Sequence, residues 1–357
     1  MTDYRIDGHK LLWHLDRVAE WQRRRTITPI YVEVSPVAYC NHKCLFCGID
    51  FAQARAVLLP VAGFARALGA MGKAGVRSIM YAGEGEPLLH RNFAELVART
   101  RECGIDVALT TNGMLGSEAV WRELLPAMTW VKFSVDAGSA DVYAQVHGVA
   151  RSAFDKTLAS IAAAVAERQR TALKTTIGVQ FVALDANFGD LENAIERFAP
   201  MGVDYFVIKP FSRHPQMLAP IDVAYPPERI DWLREVTRKH QKRTAMRVLL
   251  REEAMERYQQ RSFQFQHCRA LPFWGYITAR GDFYTCSVFL GDPRFRAGNV
   301  LSDDVEEILF GKARSDSIHF GEHGLQLGRE CRLNCRMARA NEFLEVVANE
   351  PDHVNFI

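Results

Sequence analysis

Tyr39-Cys40-Asn41-His42-Lys43-Cys44-Leu45-Phe46-Cys47 brings three cysteines into one short stretch, directly after a run of β-branched and apolar residues at 31–37. The CxxxCxxC spacing lets three thiolates take three corners of a cubane iron–sulfur cluster and leaves the fourth iron without a protein ligand. Electron-transfer clusters with four thiolates and structural zinc sites with four ligands are closed, whereas an open iron can bind a small molecule. The same trio also suits a zinc knuckle completed by a distant ligand, or thiols that are simply buried together.

Working outward, β-prone runs at 31–37, 77–82, 106–111, 130–135, 175–182 and 205–209 alternate with stretches of helical period such as 61–74 and 92–103. This is the pattern of repeated βα units around a parallel sheet, and it fits either a partial barrel or a doubly wound sheet. In α/β barrels the reactive groups sit where strands end, and each unusual segment here follows a predicted strand. The 357 residues are 48% apolar, enough for a large core and a smaller appended one. With 44 basic against 42 acidic side chains the net charge is +2, so the bulk charge calls for neither nucleic acid nor an anionic membrane. No apolar run approaches the roughly 20 residues of a membrane span and the first residues lack a signal-peptide core, so a cytoplasmic protein is expected. There the eight cysteines read as metal ligands rather than disulfides. An N-terminal helix over 7–25 ends in Arg23-Arg24-Arg25, read as a solvated helix end. The expected units are an N-terminal extension (1–29), a barrel (30–240) and a tail unit (241–357).

The cysteine trio resembles that of the radical S-adenosylmethionine (radical SAM) enzymes, in which the open iron is chelated by SAM, and Phe46 matches the apolar position near the adenine. The resemblance implies an α/β fold, a partial (β/α)6 TIM-like barrel. Downstream, Ala82-Gly83-Glu84-Gly85-Glu86-Pro87 resembles the GGEP segment that meets the methionine ammonium, with Glu84 in place of a glycine. Gly83, Gly85, Glu86 and Pro87 are therefore expected at the cofactor, and Glu84 toward the substrate. Ser134-Val135-Asp136 is similar to the Ser-x-Asp segment contacting ribose or carboxylate, and strand alternation puts Ser134 and Asp136 on one face. Thr111 and Asn112 close the third strand, Gln180 lies on the fifth, and Arg151 could clamp a carboxylate with two parallel hydrogen bonds. Lys209, Ser212, Arg213 and His214 cluster after the sixth strand and point to a polar substrate, such as a sugar or amino sugar.

In the tail, Cys268, Gly281 and Cys286 match the Cx9-15Gx4C opening of SPASM and twitch extensions, and Cys331 and Cys335 follow. Tyr276-Ile277-Thr278 and Phe283-Tyr284-Thr285 read as a hairpin turning through Gly281, and a short helix completes the twitch-type extension. Four thiolates imply one closed auxiliary [4Fe-4S] cluster; taken alone they fit zinc equally well. Family members that bind substrate through an auxiliary iron have three cysteines there, so a closed cluster is expected to carry electrons. Cys103 is read as packing. The expected activity is cleavage of SAM to a 5′-deoxyadenosyl radical, fed by a flavodoxin- or ferredoxin-type reductant, with oxidation of a small polar molecule. A peptide cyclase, an epimerase, or a non-catalytic iron–sulfur or zinc scaffold are the alternatives.

Overall fold

The computed structural model describes residues 9–52 and 57–355. Its strands are β1 (Tyr31–Val34), β2 (Ser78–Tyr81), β3 (Asp106–Thr111), β4 (Met128–Ser134), β5 (Thr176–Ala183), β6 (Tyr205–Pro210), β7 (Arg247–Leu250), β8 (Trp274–Ile277), β9 (Asp282–Tyr284) and β10 (Arg296–Asn299). They form one sheet in the order β10-β9-β8-β1-β2-β3-β4-β5-β6-β7. From β8 to β7 every neighbouring pair is parallel. The two ends do not pair with each other, so the barrel is partial and open.

Alternation explains how each strand is held. Val32 and Val34, Ile79 and Tyr81, Val107 and Leu109, Val131 and Phe133, Ile177 and Val179, and Phe206 and Ile208 all join one outer core with the surrounding helices. Each such side chain, removed from water, contributes roughly 1.5–3 kcal/mol. Helices Val61–Ala74, Phe93–Glu102, Glu118–Leu124, Ser152–Arg170 and Leu191–Phe198 cover that face. The opposite residues point into the barrel. Met80, Ala82 and Ala108 pack there with Tyr31 and Trp130. The polar inward residues lie nearer the strand ends.

The six expected βα units are present, and two further parallel strands extend them. β7 escapes a periodicity reading because only Val248 of its four residues is buried. β8 was read as a hairpin arm; its antiparallel pairing with β9 through Gly281 (φ +88°) is as expected, but its other edge lies parallel against β1. The sheet therefore runs on through residue 240, where a unit boundary was expected. Beyond β10 come helices Val305–Phe310, Lys312–His323, Leu327–Glu330 and Ala338–Ala348.

The N-terminal helix is Leu15–Arg24, shorter than expected, after a turn at Leu11–Trp13; residues 7 and 8 of the predicted helix lie outside the described residues. Val18 and Trp21 pack against Phe273 and Leu344, which ties this helix to the tail. Arg23, Arg24 and Arg25 are exposed. Fully buried Arg314 straps the same region, donating to the carbonyls of Ile27, Leu309 and Pro272 at 2.6–2.8 Å. Among the described residues no helix is long and apolar enough to cross a membrane.

Candidate active site

The loop after β1 carries Cys40, Cys44 and Cys47 to the C-terminal end of the parallel strands, where all three line one cavity of about 310 Å³. The His42 amide donates to Cys40 Sγ at 3.4 Å, and the Asn112 side-chain amide lies 3.9 Å from the same sulfur. Burial pushes the Cys40 thiol up to about 12 and raises those of Cys44 and Cys47 as well. Such sulfurs stay protonated unless a metal replaces the proton. Three soft donors on one wall, with N–H groups aimed at a sulfur, fit an iron–sulfur cluster held by three thiolates.

Two glycines let the β2 loop press against this wall. A Cβ on Gly85 would collide with the backbone of Tyr39, and one on Gly83 (φ +104°) with the Tyr276 hydroxyl. Glu86, fully enclosed, accepts from Thr111 Oγ1 at 2.6 Å, the Asn112 amide at 2.8 Å and the Leu88 amide at 3.0 Å. It thus pins the end of β3 beside the cysteines. Asn112 in turn donates to Asn41 Oδ1 at 2.7 Å. Behind the cysteines, His42 meets the Tyr143 hydroxyl at 3.0 Å, and His147 Nδ1 lies 3.0 Å from Cys44 Sγ.

Of the residues expected at the cofactor, Phe46, Gly83, Gly85, Glu86, Thr111, Asn112 and Ser134 line the cavity together. Pro87, itself buried, starts the turn Pro87–Leu89 just outside it. Gln180 is buried next to Ser134, its amide 3.4 Å from the hydroxyl. Asp136 departs from the expected face: β4 ends at Ser134, and Asp136 adopts φ +57°, which breaks the alternation. Its carboxylate accepts from the Val182 amide at 2.6 Å instead, and burial raises it to about 7. Arg151 is also out of the cavity. It pairs with Asp141 at 2.6 Å on the surface, both about two-thirds exposed, so the carboxylate clamp is corrected to a surface ion pair.

Among the expected substrate residues, Lys209 and His214 line the cavity. Burial lowers His214 to about 4, and its ring lies against Phe51, centroids 4.8 Å apart and tilted by 30°. Arg213 is exposed and donates to the Ile221 carbonyl. Glu84 faces the tail, not the cavity: it accepts from the Ala279 amide at 2.8 Å, at the β8–β9 turn.

The tail cysteines Cys268, Cys286, Cys331 and Cys335 line a second, apolar cavity with Phe265, Trp274, Phe289 and Met337. Their mutual proximity adds to burial in raising the Cys268, Cys286 and Cys331 thiols. No three of these sulfurs lie within 4.8 Å of one another, wider than the ligands of a zinc ion at about 2.3 Å Zn–S, so the four-thiolate set suits a larger closed cluster better. Cys103 sits at the opposite, N-terminal end of β3, packed near Gly72.

The tail also reaches the first cavity. Ser287, Arg332 and Arg336, each next to a tail cysteine in sequence, line it. Ser212 donates to the Asn334 carbonyl at 3.0 Å, and Arg336 pairs with Glu33 on β1. Sequence reasoning missed Glu33, His42, His147, Arg332 and Arg336, which line the cavity. The inward position of Glu33 on an otherwise apolar strand was a usable signal; nothing local marks the two arginines.

Residues 34–181 match the radical SAM superfamily. The matched stretch runs from the end of β1 into β5 and contains the three-cysteine loop. The chain is 32% identical over 133 residues to a probable GTP 3′,8-cyclase of Saccharolobus solfataricus, covering 35% of this chain and 40% of that protein. It is 27% identical over 181 residues to a probable GTP 3′,8-cyclase of Sulfurisphaera tokodaii, covering 50% and 55%. The chain thus spans about half the length of the curated relatives it matches. In fold this chain resembles SuiB of Streptococcus suis, solved bound to the precursor peptide SuiA (TM-score 0.66, 17% identity, 90% of this chain and 75% of that one). It also resembles anSMEcpe solved with bound AdoMet (TM-score 0.61, 15% identity, 85% and 88%).

Proposed function

We propose that this chain is a radical SAM enzyme that oxidises a small polar molecule, with one cluster held by Cys40, Cys44 and Cys47 and a second by Cys268, Cys286, Cys331 and Cys335. When bound, the first cluster and SAM supply a 5′-deoxyadenosyl radical able to take a hydrogen atom from an unactivated carbon. The observation that supports the reading is the reach of the tail into the cavity of the three-cysteine loop: Cys40, Cys44 and Cys47 line it, and so do residues adjoining three of the four tail cysteines, which themselves line a second cavity. The chain's own residues orient and enclose. Glu86 holds Thr111 and Asn112 at the cofactor side, and Gly83 and Gly85 allow close backbone approach. Ser212 and His214 hold the loop after β6 against the tail. A four-sulfur cage leaves the second cluster no site for a substrate, so its part is to accept the electron that oxidation releases. A cytoplasmic setting and a flavodoxin- or ferredoxin-type donor go with this chemistry. The names of the curated relatives favour a small molecule over a peptide.

The test is anaerobic reconstitution followed by dithionite and SAM. About eight irons per chain and formation of 5′-deoxyadenosine are expected; zinc in the N-terminal trio, or intact clusters without 5′-deoxyadenosine, defeat the reading. With a deuterated substrate, net loss of substrate hydrogen supports oxidation, and solvent deuterium in an isomeric product supports epimerisation.

A further inference from the structure

The end of the N-terminal helix is more basic than its place in the fold requires. Arg24 and Arg25 line a surface cavity of about 210 Å³, and His319, Glu322 and His323 of the helix Lys312–His323 stand across it. Arg23, Arg24, Arg25, His319 and His323 are all exposed. Among the described residues none of the three arginines has a carboxylate at ion-pair distance, and Arg25 lies over the Trp21 ring, 4.7 Å from its centroid. The acids of these two helices are matched elsewhere. Glu322 accepts from Arg269 Nε at 3.1 Å, Asp316 pairs with Lys312, and Glu20 pairs with Arg17.

A basic side chain in the last turn offsets the partial charge of a helix C-terminus, but that effect does not ask for three in a row facing two histidines. The backbone adds a second sign. Arg25 sits at φ +63°, at the helix end where glycine is favoured. A long charged side chain kept in a conformation disfavoured for it points to a use for that side chain.

The patch also backs onto the tail cysteines. The Gly321 carbonyl accepts from the Cys268 amide at 3.3 Å, and His267 Nδ1 lies 2.8 Å from the Glu322 carbonyl. A Cβ on Gly321 would strike Leu271, so the helix is pressed directly on the segment that carries Cys268. One helix, about 10 Å across, therefore separates the exposed patch from a ligand of the second cluster. A cluster that accepts an electron in each turnover has to release it before the next. Guanidinium forks and histidine N–H groups select carboxylates, and complementary charge speeds the brief encounters of redox partners over small interfaces.

We propose that Arg23, Arg24, Arg25, His319 and His323 form the docking surface for an acidic one-electron carrier protein, of the flavodoxin or ferredoxin class, that takes the electron from the tail cluster. No bond forms or breaks in this step: the cluster loses one electron and the oxidised carrier gains it. The inference rests on the function proposed above and names the partner of its second cluster.

The experiment reduces the anaerobically reconstituted full chain with dithionite, removes the excess, and mixes it with oxidised flavodoxin. Freeze-quench EPR follows the cluster signal that added SAM does not alter, and absorbance follows the flavodoxin semiquinone. The signal should decay as semiquinone appears, at a rate that falls at least tenfold between about 0.05 and about 0.5 M NaCl. Arg24→Glu combined with Arg25→Glu should slow it tenfold or more, whereas Lys156→Glu, an exposed charge reversed on the barrel helix Ser152–Arg170, should leave it unchanged. Iron content and dithionite-driven 5′-deoxyadenosine formation should match wild type in both. A measurement free of variants accompanies it: oxidised flavodoxin should slow diethyl pyrocarbonate labelling of His319 and His323, read by peptide mass spectrometry, at least threefold. The proposal is overturned if the rate ignores salt, if the double reversal is as fast as wild type, if the histidines are unprotected, or if an RNA oligonucleotide protects them equally well. SAM cleavage by the same wild-type preparation reports separately. Histidine protection without 5′-deoxyadenosine removes the enzyme reading and leaves the docking surface, and the reverse removes only the docking surface.

Discussion

At the scale of single residues, the three cysteines of the β1 loop are the least replaceable. Cys40→Ala should leave the tail cage loaded, so iron per chain falls from about eight to about four and 5′-deoxyadenosine formation is lost; iron and sulfide analysis checks this. Gly85→Ala would drive a methyl into the Tyr39 backbone, which neither loop can yield without moving. A loss of about 3 kcal/mol or more in urea unfolding is expected, as for other severe backbone clashes. Lys132 makes a prediction of opposite sign. Folded, it titrates near 8; unfolded, a lysine titrates near 10.4. Between those values the unfolded chain binds more protons, so stability climbs as pH rises from about 8 to about 10 and the cost is fully present below 8. Lys132→Met should therefore raise stability at pH 7 by up to roughly 3 kcal/mol, less what water in the cavity screens, and the gain should shrink by pH 9.5. Urea titrations of both proteins at the two pH values measure it.

At the scale of elements, the expectations that held were local ones. CxxxCxxC, the glycine-glutamate turn after β2 and the β8–β9 turn at Gly281 are defined by a few adjacent residues, and each folds as its spacing indicates. Asp136 shows where local reasoning stops: alternation holds only while the backbone stays extended, and one left-handed residue turned that side chain toward β5. Arg151 shows the same limit, since nothing near it in sequence says that Asp141 waits on the surface. The junction of tail and barrel is likewise an element-scale fact. Arg336 leaves Cys335 and pairs with Glu33, which is only 4% exposed. Removing Arg336, itself 35% exposed, strands the enclosed Glu33 charge, so Arg336→Met should cost about 1–3 kcal/mol, and adding Glu33→Gln should restore most of it. A double-mutant cycle by urea unfolding tests this.

At the scale of the whole molecule, the tail is part of the sheet rather than an appendage. β8 gives β1 its second parallel neighbour, and Glu84, Ser212 and Glu33 each bind a tail residue. A chain cut after residue 240 would leave an edge of β1 unpaired and strip the N-terminal helix of Phe273 and Leu344. Expressed without the tail, the barrel should be recovered as aggregate rather than as a cooperatively unfolding protein, which sedimentation and thermal unfolding would show. From the sequence alone came the three-cysteine loop, the positions of the tail cysteines and six of the parallel strands, because spacing and alternation are properties of neighbouring residues. The tertiary structure decided which edges β7 and β8 would fill, which polar side chains face the cavity, and that Lys209 and two tail arginines line it together. Those outcomes depend on pairings between distant segments, whose energies arise only when the chain has closed on itself.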